Sequence, residues 1–275
     1  MKQFNLKWII TSLFSLLLIM TSATGCSAFA TDMKLNVFAA AGAKMAIDEI
    51  CENYTVLYGV NIEINYGGGG EVLSRMILTK SGDIYIAPEQ RFMDSAMAKQ
   101  AIDPDTIKNL AYMIPVIAVA KGNPKQITCL ADLAKPGIRV AITRSETTLL
   151  GKLAPEIIEK AGLTASIEKN IVTTASDPNN LLTMLIMGSV DAGIIWNFYG
   201  ISAEDKLEII VLTPEQLTGI GQMQAAQSAY CTNSRIALKL LEFIISPQSK
   251  SIFKKYGYIT DTEEVKKYWK QYQPY

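Results

Sequence analysis

The feature that most constrains this chain is an alternation of short strand-like runs with helical runs, joined by loops of very small residues. Lys34-Leu35-Asn36-Val37-Phe38-Ala39 reads as a buried strand, Ala40-Ala41-Gly42 follow it, and a helix runs on through Tyr54. Val60 to Asn65 alternates as a second strand, Gly67 to Gly70 follow it, and Glu71 to Thr79 reads as a helix. Asp83 to Ala87 and Phe92 to Lys99 repeat the pattern. Strand, loop and helix in this order build a mostly parallel sheet with helices on its faces, because parallel strands need a crossover.

The pattern resumes after a break. Ile114 to Ala120 reads as a strand, Leu130 to Ala134 as a short helix, Arg139 to Ile142 as a strand, and Leu149 to Ala161 as a helix stopped by Gly162. Thr183 to Met187 is helical, Ala192 to Trp196 and Glu208 to Leu212 are strands, and three helices (Ile236 to Ile245, Pro247 to Tyr256, Glu263 to Tyr272) close the chain. The order describes a chain that leaves one α/β lobe, builds a second and returns. In open α/β sheets ligands bind at the carboxyl ends of strands, in loops that open helices. Here those loops are Ala40-Ala41-Gly42, Gly67 to Gly70, Thr143 to Thr148, and Asp177-Pro178-Asn179.

The first thirty residues read as a leader. Lys2 and Lys7 precede an apolar run from Trp8 to Met20, shorter than the roughly 20 residues of a membrane span. Two processing sites compete. Ala23-Thr24-Gly25-Cys26 resembles a lipobox, which would make Cys26 a lipidated first residue; Ala28-Phe29-Ala30 offers an ordinary cut. The lipoprotein is the reading carried forward, and either one exports the protein to the periplasm or cell surface.

Composition excludes several function classes. A formal net charge of +0, without a long run of one sign, gives nucleic acid no basic stripe. The chain contains no histidine, so the commonest general base and the Ser-His-Asp arrangement are missing; the expectation is a protein that is not an enzyme and carries no cofactor. Cys51, Cys129 and Cys231 lack metal-ligand spacing, so no metal site is expected; one disulfide is possible, with buried free thiols preferred.

Five segments in order carry a resemblance to a known family. They are Phe38-Ala39-Ala40-Ala41-Gly42; Tyr66-Gly67-Gly68-Gly69-Gly70-Glu71-Val72; Asp83-Ile84-Tyr85-Ile86-Ala87 with Phe92-Met93-Asp94; Asp191-Ala192-Gly193-Ile194-Ile195-Trp196; and Phe243-Ile244-Ile245-Ser246-Pro247-Gln248 with Phe253 to Gly257. Together they resemble the periplasmic molybdate/tungstate-binding family, type II solute-binding proteins of ABC importers. The resemblance implies a two-lobed α/β fold with a two-strand hinge. Lobe one would hold residues 33–114 plus 213–275, and lobe two 115–212. It also implies a monomer that captures a molybdate- or tungstate-like oxyanion in the cleft and hands it to permease and ATPase subunits. The alternative is a receptor, sensor or adhesin of the same fold for another small anion, such as an organic acid or phosphate ester.

In that family the anion is held by serine hydroxyls, backbone N–H groups at helix starts and a tyrosine hydroxyl. Helix N-termini suit this, since their first N–H groups are unpaired and the dipole favours negative charge. On this chain the first serine falls on Gly42, the second on Gly68 or Gly69, and the tyrosine on Trp196, so the hydroxyls are gone. The expected ligand contacts are therefore Ala41, Gly42, Gly68, Gly69, Thr147, Thr148, Asn179 and Trp196, with Arg144 as a possible bidentate clamp. Ser145 and Asn197 are further candidate donors. Glu71 is expected to sit in the first turn of a helix; a cleft-facing, metal-ligating role is the rarer reading.

Overall fold

The structure, a computed structural model, describes residues 33–270. The leader and the expected lipidation site Cys26 lie outside those residues. Ten strands form two five-stranded sheets. The first is built from β1 (Lys34–Ala40), β2 (Asn61–Gly67), β3 (Ile84–Ala87), β4 (Lys108–Met113) and β10 (Gly221–Gln227) in the order β2-β1-β3-β10-β4. The second is built from β5 (Pro115–Ala120), β6 (Val140–Thr143), β7 (Ile171–Ala175), β8 (Ala192–Trp196) and β9 (Leu207–Val211) in the order β7-β6-β8-β5-β9. The chain passes from the first sheet to the second through Ile114 alone and returns through residues 212–220.

The sheets share one design. β1 pairs in parallel with β2 and β3, while β10 runs antiparallel to β3 and β4. Likewise β6 is parallel to β7 and β8, while β5 is antiparallel to β8 and β9. The parallel half of each sheet is the part that the strand–helix alternation predicts. Its crossover helices are α1 (Lys44–Tyr58), α2 (Gly69–Thr79) and α3 (Gln90–Ala98) in the first lobe, and α4 (Leu149–Lys160) and α5 (Pro178–Ile186) in the second. Three later helices, α6 (Ser234–Ile244), α7 (Pro247–Lys255) and α8 (Thr262–Tyr268), follow β10, and α6 and α7 pack back onto the first lobe.

Burial explains the elements. All four residues of β3 are buried, as expected for a strand covered on both faces. Helix α6 buries Ile236, Ala237, Leu240, Leu241 and Ile244, one stripe at helical spacing. Phe38, Val72, Leu73, Met76, Tyr85 and Met93 meet in a core cluster beneath α2 and α3. That cluster fixes where the glycine loop between β2 and α2 emerges. The three cysteines beyond Cys26 are all free thiols, but only Cys51 is buried; Cys129 is exposed and Cys231 half-buried.

Candidate functional site

A cleft of about 720 Å³ opens where the carboxyl ends of the parallel strands of both sheets face each other. Five helices begin there, each just after a strand: α1 after β1, α2 after β2, α3 after β3, α4 after β6 and α5 after β7. Ala41, Gly42, Gly68, Gly69, Thr147, Thr148, Asn179 and Trp196 all line the cleft. Arg144 does not: it is exposed, and its backbone carbonyl instead receives the N–H groups of Thr147 and Thr148 at 3.3 and 3.1 Å. Ser145 and Asn197 also lie outside the lining; Asn197 joins the lobes by accepting from Ile114 N–H (2.8 Å) and donating to the Gly257 carbonyl (2.8 Å).

On the first-lobe side much of the lining is small residues, Ala40 to Ala43 and Gly67 to Gly70. The single helical turn Ala41–Ala43 opens α1, and Gly68 precedes α2. First-turn N–H groups have no acceptor within their own helix, so those of Gly69 and Gly70 are available to a ligand. The glycines there are not equivalent. A Cβ on Gly69 would lie 2.7 Å from Pro88 Cγ and 2.8 Å from the Phe92 ring, so only glycine lets the loop approach α3. A Cβ on Gly42 would meet only Phe198 Cζ at 3.8 Å, and one on Gly68 only Glu71 atoms at 4.0 Å. The protein leaves that space open. Two buried tyrosines pin the loops: Tyr85 donates to the Gly69 carbonyl (3.0 Å) and Tyr258 to the Gly42 carbonyl (2.8 Å). Burial pushes both phenols well above their ordinary pKa, so they remain donors.

Helix starts on the other side are already served by the protein. The Thr148 hydroxyl accepts from Gly151 N–H (2.8 Å) and caps α4. The Asp177 carboxylate accepts from Asn179 and Asn180 N–H at 2.9 and 3.0 Å and caps α5. Asn179 keeps its side-chain amide for a ligand, its carbonyl accepting from the Tyr199 hydroxyl (2.8 Å). Trp196 is only 3% exposed, yet its indole N–H has no partner among the described residues. Glu71 accepts from Gly68 N–H (3.2 Å) and pairs with Arg75, so its carboxylate closes the first turn of α2 while also lining the cleft.

Several cleft residues escape the sequence reading. Glu89, Arg91, Phe198, Tyr199 and Tyr258 line it together with the expected set. Glu89 and Arg91 follow β3, so the rule that selected the loops after β1, β2, β6 and β7 applies to them equally. Tyr258 has no such signal, because α7 brings it back from the far end of the chain. Glu89 and Arg91 bridge the two lobes. Glu89 Oε2 accepts from Arg91 Nε (2.9 Å) and from Leu149 N–H at the start of α4 (3.2 Å), and Arg91 donates to the Thr147 carbonyl. Burial raises the Glu89 pKa, outweighing the opposing pull of Arg91 and the Leu149 N–H. In total the lining holds four carboxylates (Glu71, Glu89, Glu146, Asp177) against one guanidinium, Arg91, so a bound anion depends on backbone donors rather than on net charge.

Residues 35–259 match the sequence profile of the family described as bacterial extracellular solute-binding protein. A Haemophilus influenzae relative described only as a binding protein is 28% identical over 228 residues, which span 82% of this chain and 90% of that protein. The molybdate-binding protein ModA of Escherichia coli is 22% identical over 241 residues, spanning 86% of this chain and 93% of ModA. Among solved structures, L-phospholactate-bound PEB3, a Campylobacter jejuni protein, superposes with a TM-score of 0.72 at 20% identity, covering 82% of this chain and 99% of PEB3. At that identity the likeness to PEB3 carries the fold alone.

Proposed function

This chain belongs to the bacterial extracellular solute-binding proteins, and on that premise we propose that it is the receptor of an ABC importer for a small anion. The observation that carries the reading is the convergence of helix N-termini on one cleft, with unpaired N–H groups at the glycine-rich turns. In this reading residues 33–114 plus 213–275 form one lobe and 115–212 the other. Closure about the segments joining them traps the ligand and presents the closed form to the permease. Lipid attachment at Cys26 would hold the receptor at the membrane.

Two classes of anion compete. The relationship to ModA favours a molybdate- or tungstate-like oxyanion, with Gly42, Gly69 and Gly70 giving backbone donors and Trp196 its indole N–H. A specific observation favours the other class, an organic acid or phosphate ester. The lobes are already bridged by Glu89 and Arg91, yet the cleft still encloses about 720 Å³, within the range of sites for larger organic ligands. The open space beside Gly42 and Gly68 adds to that volume.

Thermal unfolding with molybdate, tungstate, sulfate, phosphate and citrate tests the reading. A ligand that binds only the folded protein raises its stability by mass action, about 2.7 kcal/mol at a hundredfold excess over Kd. A rise in Tm with any of these anions is the expected result. Absence of a shift with all five would sink the anion receptor. Radiolabelled palmitate incorporation, present in the wild type and lost in Cys26→Ala, tests the anchor.

A further inference from the structure

One mostly buried carboxylate in the cleft has an oxygen with no donor. Glu89 follows β3, lines the cleft, and its side chain is only 7% exposed. Its Oε2 is occupied by Arg91 and Leu149, whereas its Oε1 accepts no hydrogen bond from any described residue. Oε1 keeps some contact with solvent on the cleft that Glu89 lines, so a ligand filling the cleft displaces that water, and leaving the oxygen unpaired there would be costly. The same cavity offers unpaired donors at Gly69, Gly70 and the Trp196 indole. The cleft therefore presents donors for a negative group and, at Glu89, a mostly buried acceptor for a proton.

We propose that Glu89 is a specificity-determining residue: the ligand is an anion that carries a hydrogen-bond donor beside its charge, as a hydroxy acid or a phosphate group that retains a proton does, and Glu89 excludes fully deprotonated tetrahedral anions. This rests on the anion-receptor reading above and narrows it. An oxygen lone pair on Glu89 attracts a ligand O–H but repels a bare anionic oxygen in the same place. Beside a side chain only 7% exposed, that repulsion is screened less than at the surface. Selectivity built in this way, by rejecting the wrong partner, can be large: sites made to bond a ligand hydroxyl reject the analogue lacking it by roughly 10⁴-fold. Arg91 spends its Nε on Glu89 and one terminal nitrogen on the Thr147 carbonyl, which leaves its other terminal nitrogen as a further donor for the ligand's negative group.

Calorimetric titration of the full chain at pH 7 tests this, with inorganic phosphate and glycerate as donor-bearing probes and sulfate and molybdate as bare ones. The wild type is expected to bind at least one donor-bearing probe, with both bare anions at least tenfold weaker. In Glu89→Gln, whose amide can donate to a bare oxygen, that gap should shrink tenfold or more. Glu89→Asp keeps the charge and should keep the gap to within threefold. Wild-type binding of molybdate or sulfate as tight as that of phosphate and glycerate overturns the proposal and leaves the anion receptor standing. An unchanged gap in Glu89→Gln, or a gap lost equally in both variants, overturns the role of Glu89. Binding of no probe by any form ends both readings.

Discussion

The two sides of the cleft are built from the same unit, a parallel strand that ends in a loop and opens a helix, but they treat the helix start differently. On the first-lobe side Gly69 and Gly70 begin α2 and Ala41–Ala43 lead into α1, and their first-turn N–H groups remain open. On the second-lobe side Thr148 caps α4, Asp177 caps α5, and Glu89 reaches across to the Leu149 N–H. One side offers donors to a ligand; on the other the donors are spent on side chains, one of them Glu89 from across the cleft, and each side contributes two of the four lining carboxylates. A bound anion should therefore rest its charge on the open N–H groups of the first lobe. Helix N-termini pointing into a cleft are thus not interchangeable anion sites; what caps them decides.

The comparison is broken most severely at Gly69. Gly69→Val places carbon within the space of Pro88 and Phe92 and should cost about 1–3 kcal/mol in a urea unfolding curve, as overpacking does. It should also abolish any anion-induced rise in Tm. An undiminished rise would show that the glycine loop does not hold the ligand.

Gly42→Ser sharpens the same side without disturbing it. The nearest atom to the new Cβ is Phe198 Cζ at 3.8 Å, so stability should stay within about 0.5 kcal/mol. The added hydroxyl restores one charge-assisted bond, about 1.5 kcal/mol, and should tighten molybdate roughly tenfold by titration. No gain would mean that the loop after β1 lies away from the anion.

On the opposite side, Asp177→Ala uncaps α5. It should cost about 1 kcal/mol, and Asp177→Asn much less, in matched denaturation curves. Equal losses would show that charge rather than capping carries the effect.

The smallest effect lies at the far end of the second sheet. Burial opposes the charge of Asp191, but hydrogen bonds from the Arg139 side chain and backbone, with its positive charge, hold the carboxyl below its ordinary value. A depressed folded value means that this contribution is complete above the unfolded value of about 3.9 and is lost as pH falls through the folded one. Asp191→Asn should therefore flatten the acid limb of a stability–pH curve below about pH 4. Its response to anions should be unchanged, because the residue precedes β8 and Trp196 at the other end enters the cleft.

How much of this was legible in the sequence depends on how local the signal is. β1, β3 and β8 are apolar runs, and their positions follow from the residues themselves. β10, Gly221-Gln222-Met223-Gln224-Ala225-Ala226-Gln227, carries three glutamines and no β-branched residue, so nothing local marks it as a strand. It sits inside the first sheet because β3 and β4 supply its ladder partners, and Gln222 and Gln224 find Asn109 as an acceptor. β4 and β7 likewise escape the alternation. In the site, eight of the nine expected ligand contacts line the cleft, since a loop after a parallel strand can be read from order alone. Arg144 lies elsewhere, because the turn it begins directs its carbonyl, not its side chain, toward the cap of α4.

The sequence by itself determined the class of fold, the loops that would face one another and the absence of the family's hydroxyls at Gly42, Gly69 and Trp196, because strand–helix order and residue identity are properties of neighbours along the chain. Only the tertiary structure decided which helix starts remain open. Glu89 and Leu149 lie sixty positions apart, as do Asn197 and Gly257, and whether a carboxylate meets an N–H across that separation depends on how two lobes pack, which no local pattern encodes.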